Sequence, residues 1–130
     1  MNPQAAMSAY SNTNAHTAVA DASPHRLIAL LINGAIDRTN AAIGAMQSGD
    51  TVRKAELMSK AANIIASLLA YLDKEQGGEV ASNLEALYDY MLRRLFHANR
   101  HNDAEAAAEV VRLLSEIKAG WDGIAEEVGG

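Results

Sequence analysis

The sequence contains no cysteine, which removes disulfide frameworks, thiol nucleophiles and thiolate metal sites together. Proline is almost as scarce: apart from Pro3 and Pro24 there is none, so no proline after residue 24 breaks a helix. The aromatic residues are one tryptophan, four tyrosines and one phenylalanine. With β-branched residues also sparse, the types that favour strands are thin on the ground. Basic excess is missing too, since 11 Lys and Arg face 16 Asp and Glu for a formal charge of -5. That balance argues against a general nucleic-acid binder, which needs a basic face. No apolar run approaches the roughly 20 residues of a membrane span. The opening MNPQAAMSAYSNTNAH has neither the positive n-region nor the apolar stretch of a secretory signal. The expectation is a cytoplasmic protein with no nucleic-acid partner and no membrane insertion.

What is present is alanine, leucine, glutamate and arginine, all good helix formers. At 130 residues the chain suits one compact domain with one core. Residues 1–22 are rich in Ala, Ser, Asn and Thr without a sustained stripe and read as an N-terminal arm or short extra helix. Residues 23–130 read as the bundle. Ser23 can cap a helix whose first position is Pro24, where the missing N–H costs nothing. The pattern predicts helices over about Pro24 to Gln47, Thr51 to Leu72 and Glu79 to Asn99, and a fourth opening at HNDAE. Gly77 and Gly78 read as the break before the third, Val80, Leu84, Leu87, Tyr88, Met91 and Leu95 as its core face. Asn102 reads as the N-cap of the fourth, with Glu105 completing a capping box. Four helices of similar length, each with an apolar stripe and joined by short connections, predict an all-α antiparallel up-down four-helix bundle.

Bundles often hold metals, but no Glu-x-x-His pairs accompany inward glutamates here. His97 and His101 have the spacing for two ligands on one helix face. At the end of a helix their simpler role is to complement its dipole. Ser23 beside His25 is better read as a cap than as a catalytic pair, and QGGE lacks the lysine and spacing of a phosphate loop. The sequence is therefore expected to carry no catalytic residues, no metal site and no cofactor.

Apolar excess is the remaining signal. On helix 1, Leu27, Ile28, Leu31, Ala35, Ala42 and Met46 form a core stripe, and Ile32, Ile36 and Ile43 a second stripe beside it. Together they exceed the ~100° arc that a surface helix needs. The second stripe is thus expected to lie outside the core and be covered by the arm, a partner or another copy. On helix 3, Tyr88 and Tyr90 stand two apart and point ~200° away from each other, so both cannot face one core. Tyr88 is expected inside. Tyr90 is expected either to brace a neighbouring helix or to line a partner groove, and Phe96 falls off the core arc on the opposite flank.

The blocks GGEVASNLEALYDYMLRRLFHAN and SPHRLIALLINGAI, with AY upstream at Ala9-Tyr10, strongly resemble the FliS family of flagellin export chaperones. The resemblance covers essentially the whole chain. It implies a helical bundle with an N-terminal segment over it. It also implies a role: binding the C-terminal segment of flagellin, preventing premature polymerisation and delivering the subunit to the flagellar type III export apparatus. An export-gate subunit and an anti-sigma factor are further candidate partners by the same resemblance. Positions matching the family's pattern include Tyr10, Pro24, His25, Gly77, Gly78, Asn83, Tyr88, Tyr90, Arg93 and Arg94. Helix 1 departs from it, carrying Ile32 and Asn33 where the family commonly has an aromatic residue and an aspartate. The residues expected to bind the partner are Tyr10, Ile28, Ile32, Ile36, Ile43, Tyr90 and Phe96.

Overall fold

The computed structural model describes residues 23–128, with side chains to residue 124. It contains four helices in chain order: α1 (Pro24–Ser48), α2 (Thr51–Tyr71), α3 (Lys74–His101) and α4 (Ala104–Val128). Among the described residues there is no strand. Each connection is two residues long, so consecutive helices run antiparallel. α1 packs on α2 and α4, and α3 packs on the same two, the α1–α2 contact being the most extensive and α3–α4 the least. The architecture is an all-α up-down four-helix bundle.

The ends of the helices follow from local chemistry. Ser23 accepts the Arg26 N–H at 3.1 Å, capping α1 with Pro24 inside its first turn. Gly49 takes the left-handed conformation at φ 78°, which lets its own N–H and that of Asp50 reach back to the Met46 and Ala45 carbonyls. Asp50 and Asp73 then cap α2 and α3 through the N–H groups of Arg53 and Gln76.

Two boundaries differ from expectation. α3 begins at Lys74 rather than near Glu79, because Asp73 nucleates a turn ahead of the glycine pair. The break is a kink inside the helix at Gly78, whose φ of 53° and ψ of -127° are open to glycine alone. Asn102 is not the N-cap of α4. It closes α3 in the left-handed region at φ 55°, and Asp103 takes the cap by accepting the Ala106 N–H at 3.1 Å. Both residue types suit either role, and the two-residue turn leaves room for the asparagine to bend the chain and the aspartate to cap.

The core is one continuous cluster. Leu31, Ile65, Leu68, Met91, Leu95 and Leu114 are at most 2 % exposed. Thr39 is buried among them and satisfies its hydroxyl on the Ala35 carbonyl one turn back, at 2.8 Å. Among the described residues no buried side-chain polar atom lacks a partner. Ile32 is fully buried in this cluster, which corrects its placement on a free flank, and Ile36 and Ile43 pack half-buried against it. The physical reason is that α1 has two extensive neighbours, so its buried arc is wider than the stripe of a helix lying on one surface. Val80 departs the other way: expected in the core, it is 68 % exposed, sitting just beyond the Gly78 kink.

Candidate functional site

α2 and α3 run side by side, and the seam between them opens at two places. At the end where α1 and α3 begin and α2 and α4 finish lies a cavity of about 420 Å³. Ile28 and Ile32 of α1, Tyr71 of α2, Val80 and Tyr88 of α3 and Trp121 of α4 are among its walls. Farther down the seam is a smaller groove of about 280 Å³, where Ala55, Met58 and Ala62 of α2 face Leu92, Leu95 and Phe96 of α3. The exposed large apolar side chains concentrate here. Tyr71 and Val80 rim the cavity, and Phe96, 70 % exposed, rims the groove, with Val52 exposed one turn beyond Ala55 on α2. Apolar surface gathered along a concave seam, rather than scattered singly, marks an interaction surface.

The cavity wall is tied across the bundle by one pair. The Trp121 indole N–H donates to the His25 carbonyl at 2.9 Å, and His25 Nε2 lies 2.8 Å from the Trp121 carbonyl. The two rings stack at 4.4 Å with planes 8° apart. Because a carbonyl can only accept, Nε2 carries a proton in this arrangement. Tyr88 turns its ring into the core, and burial pushes its hydroxyl up to about 12.

The opposite seam, between α3 and α4, is polar. Tyr90 donates its hydroxyl to Glu109 at 2.9 Å, and Arg94 Nε donates to the same carboxylate at 2.9 Å. The bond to Glu109 raises the Tyr90 hydroxyl above its ordinary value. The same hydroxyl, followed by Arg94, holds the Glu109 carboxyl below its own. Nearby, His97 Nε2 lies 3.1 Å from Asp103 and its ring packs on His101. The Asp103 carboxyl is lowered first by the Ala106 N–H that it caps, then by His97. Among the described residues no group of three or more His, Asp or Glu is placed to hold a metal ion. No described helix is long and apolar enough to cross a membrane.

The residues expected to bind a partner thus fall in different places. Ile28 and Ile32 line the cavity and Phe96 the groove. Ile36 and Ile43 pack half-buried against the core, and Tyr90 bonds across to α4. Tyr10 lies outside the described residues. The α2 side of the seam went unnoticed in the sequence. Its signal was present, since Val52, Ala55, Ser59 and Ala62 form a second stripe beside the core stripe of α2, but small side chains make such a stripe look polar.

With this geometry in view, the likeness to known proteins is informative. The family model for the flagellar protein FliS matches residues 6–128. The chain is 47 % identical over 119 residues to the flagellar secretion chaperone FliSB of Pseudomonas aeruginosa, covering 92 % of this chain and 94 % of that one. It is 50 % identical over 114 residues to the flagellar secretion chaperone FliS of Salmonella typhimurium, covering 87 % and 84 %. To the flagellar secretion chaperone FliS of Vibrio cholerae it is 38 % identical over 121 residues, covering 93 % and 89 %. A family model matching residues 6–128 and relatives up to 50 % identical over most of the chain leave one conclusion: the chain belongs to the FliS family of flagellar secretion chaperones.

Proposed function

We propose that the protein is a cytoplasmic export chaperone for flagellin. It binds the C-terminal segment of flagellin, keeps the subunit from polymerising early and delivers it to the flagellar type III export apparatus. It acts by binding and not by catalysis. The observation that carries this reading is the α2–α3 seam, with an apolar opening at each end and exposed Val80 and Phe96 at the rims. From Ala55 to Tyr71 the seam extends ~24 Å at 1.5 Å per residue, long enough for four turns of an amphipathic helix laid into a groove. The relatives' naming as secretion chaperones supports the same role.

Calorimetric titration with the flagellin C-terminal segment, alongside circular dichroism, tests it. Binding should be accompanied by a gain in helix and a negative heat-capacity change, because a disordered segment orders as it buries apolar surface. Phe96→Ser should weaken binding roughly 10- to 100-fold, from the loss of about 1.5–3 kcal/mol of aromatic burial. Its melting curve should stay near wild type, since the ring is largely exposed in the free protein. No heat with wild type would refute the reading. Unchanged binding by both Phe96→Ser and Val80→Ser would place the docking surface elsewhere.

A further inference from the structure

We propose that the end of α4 from Lys118 to Ile124 forms a strap that opens and closes over the end cavity, with the His25–Trp121 pair as its catch. The strap is weak as a helix. Gly120 and Gly123 stand inside it with nothing within 4 Å of where a side chain would begin, so neither close packing nor a turn asks for glycine. Each such glycine disfavours the helix about fivefold relative to alanine. The strap is also weakly packed. Ile124 is 46 % exposed, whereas Val110 and Leu114 earlier on the same helix are fully buried.

The hold on the bundle is local. Among the described residues, the hydrogen bonds from the strap to the other helices are those between Trp121 and His25. The Lys118–Asp122 pair lies within the strap itself. Trp121 and His25 are both half-buried, so water can take over their bonds once the rings part. A segment of low intrinsic stability held by these bonds and by the packing of one side chain, Trp121, on the core opens before the bundle unfolds. Its opening has a specific consequence. Trp121 is the strap's part of the cavity wall, next to Ile117 just ahead of it, so its departure opens the hollow on the α4 side to an apolar segment. The strap thereby gates the end cavity, an inference resting on that cavity being part of the docking surface.

Hydrogen exchange on the full chain, free in solution, tests the strap without any partner. Amides beyond Lys118 should exchange much faster than those around Val110 to Leu114. His25→Ala should speed the strap about 10- to 100-fold further, the worth of the Nε2 hydrogen bond and the ring stacking together, since the residue 25 carbonyl still accepts from Trp121. The bundle amides and the melting temperature should stay almost unchanged. Gly120→Ala with Gly123→Ala strengthens the helix and should slow the strap. Trp121 is the one tryptophan of the chain, so its quenching by acrylamide follows the same opening. Strap amides exchanging together with Val110 to Leu114, or indifferent to both sets of variants, would overturn the strap. Stopped-flow association with the flagellin C-terminal segment tests the gate, and the rate should rise in His25→Ala and fall in the double alanine variant. Equal rates beside altered exchange would overturn the gate and leave the docking reading intact. Absence of binding by wild type would overturn the docking reading and leave the exchange result standing.

Discussion

At one end of the bundle, where α1 and α3 finish, buried Ala42, Ala45, Ala98, Ala106 and Ala107 let the helices approach closely. At the other end the corresponding layers carry Ile28, Tyr71, Leu84, Ile117 and Trp121, and a 420 Å³ cavity remains among them. The alanine-rich end, beside the smaller groove, is also pinned by a polar contact. Lys54, 7 % exposed, lays its stem against the core and donates its ammonium to the Asn99 carbonyl at 3.0 Å and to Asn102 Oδ1 at 3.1 Å. It thereby satisfies carbonyl and cap groups at the end of α3 that the helix leaves open. The open end has a kink at Gly78, a turn held by the exposed Lys74–Glu85 pair, and the His25–Trp121 catch. Small side chains give close, unadaptable packing, while large ones around flexible segments leave a space that can change shape.

The sharpest way to break this comparison is to cut a side chain from each part. Leu95→Ala, at a site 1 % exposed, should cost about 2–5 kcal/mol in urea unfolding through lost burial and the cavity left behind. Val80→Ala, 68 % exposed at the open end, should stay within about 0.5 kcal/mol. Similar losses would mean that both regions are packed alike.

A second test uses alkali. Tyr88 has its hydroxyl raised from 10.0 to about 12 by burial, so the neutral form is the one the fold prefers. Its contribution is whole below pH 10.0 and is lost as the pH climbs through about 12. A shift of this size is worth roughly 2–3 kcal/mol. Tyr88→Phe should flatten the alkaline fall in stability, and Tyr90→Phe should flatten it less, its hydroxyl being raised in the same direction from a solvated position.

Next in size is the pin. Lys54→Met keeps the stem and removes the ammonium, leaving two acceptors short of a donor at a cost of about 1–3 kcal/mol. Amide exchange should quicken in the last turn of α3 and not around the cavity. Smallest is the polar seam between α3 and α4. The Glu109 carboxyl is held below its ordinary 4.5, so its contribution is present above that value and lost as the pH falls beneath it. Glu109→Gln should make the acid limb of the stability curve slightly shallower, as followed by thermal melts between neutral and acid pH.

The sequence alone determined most of the architecture, and for local reasons. Ser23 with Pro24 starts α1, Gly49 ends it, and the 3.6-residue repeat of Met58, Ala61, Ile65 and Leu68 orients α2, because each signal acts within a turn or two of its own backbone. The exposed position of Phe96 was also legible, since it lies off a well-marked stripe. The resemblance carried by the GGE to RRL block reached the family for a related reason: those residues serve at once the Gly78 kink, the core and the seam.

Tertiary structure decided what depends on neighbours distant in sequence. Lys54 reached the Asn102 side chain from another helix, a contact that no signal within the turn announces. Ile32 entered the core because α1 is flanked by two helices, a fact no single helical stripe contains. Tyr90 found Glu109 across the α3–α4 seam, and His25 found Trp121 96 residues away. The hollow beside that pair is a property of four helix ends meeting. Periodicity tells each helix which side to bury, and only the meeting of those sides decides how much space is left between them.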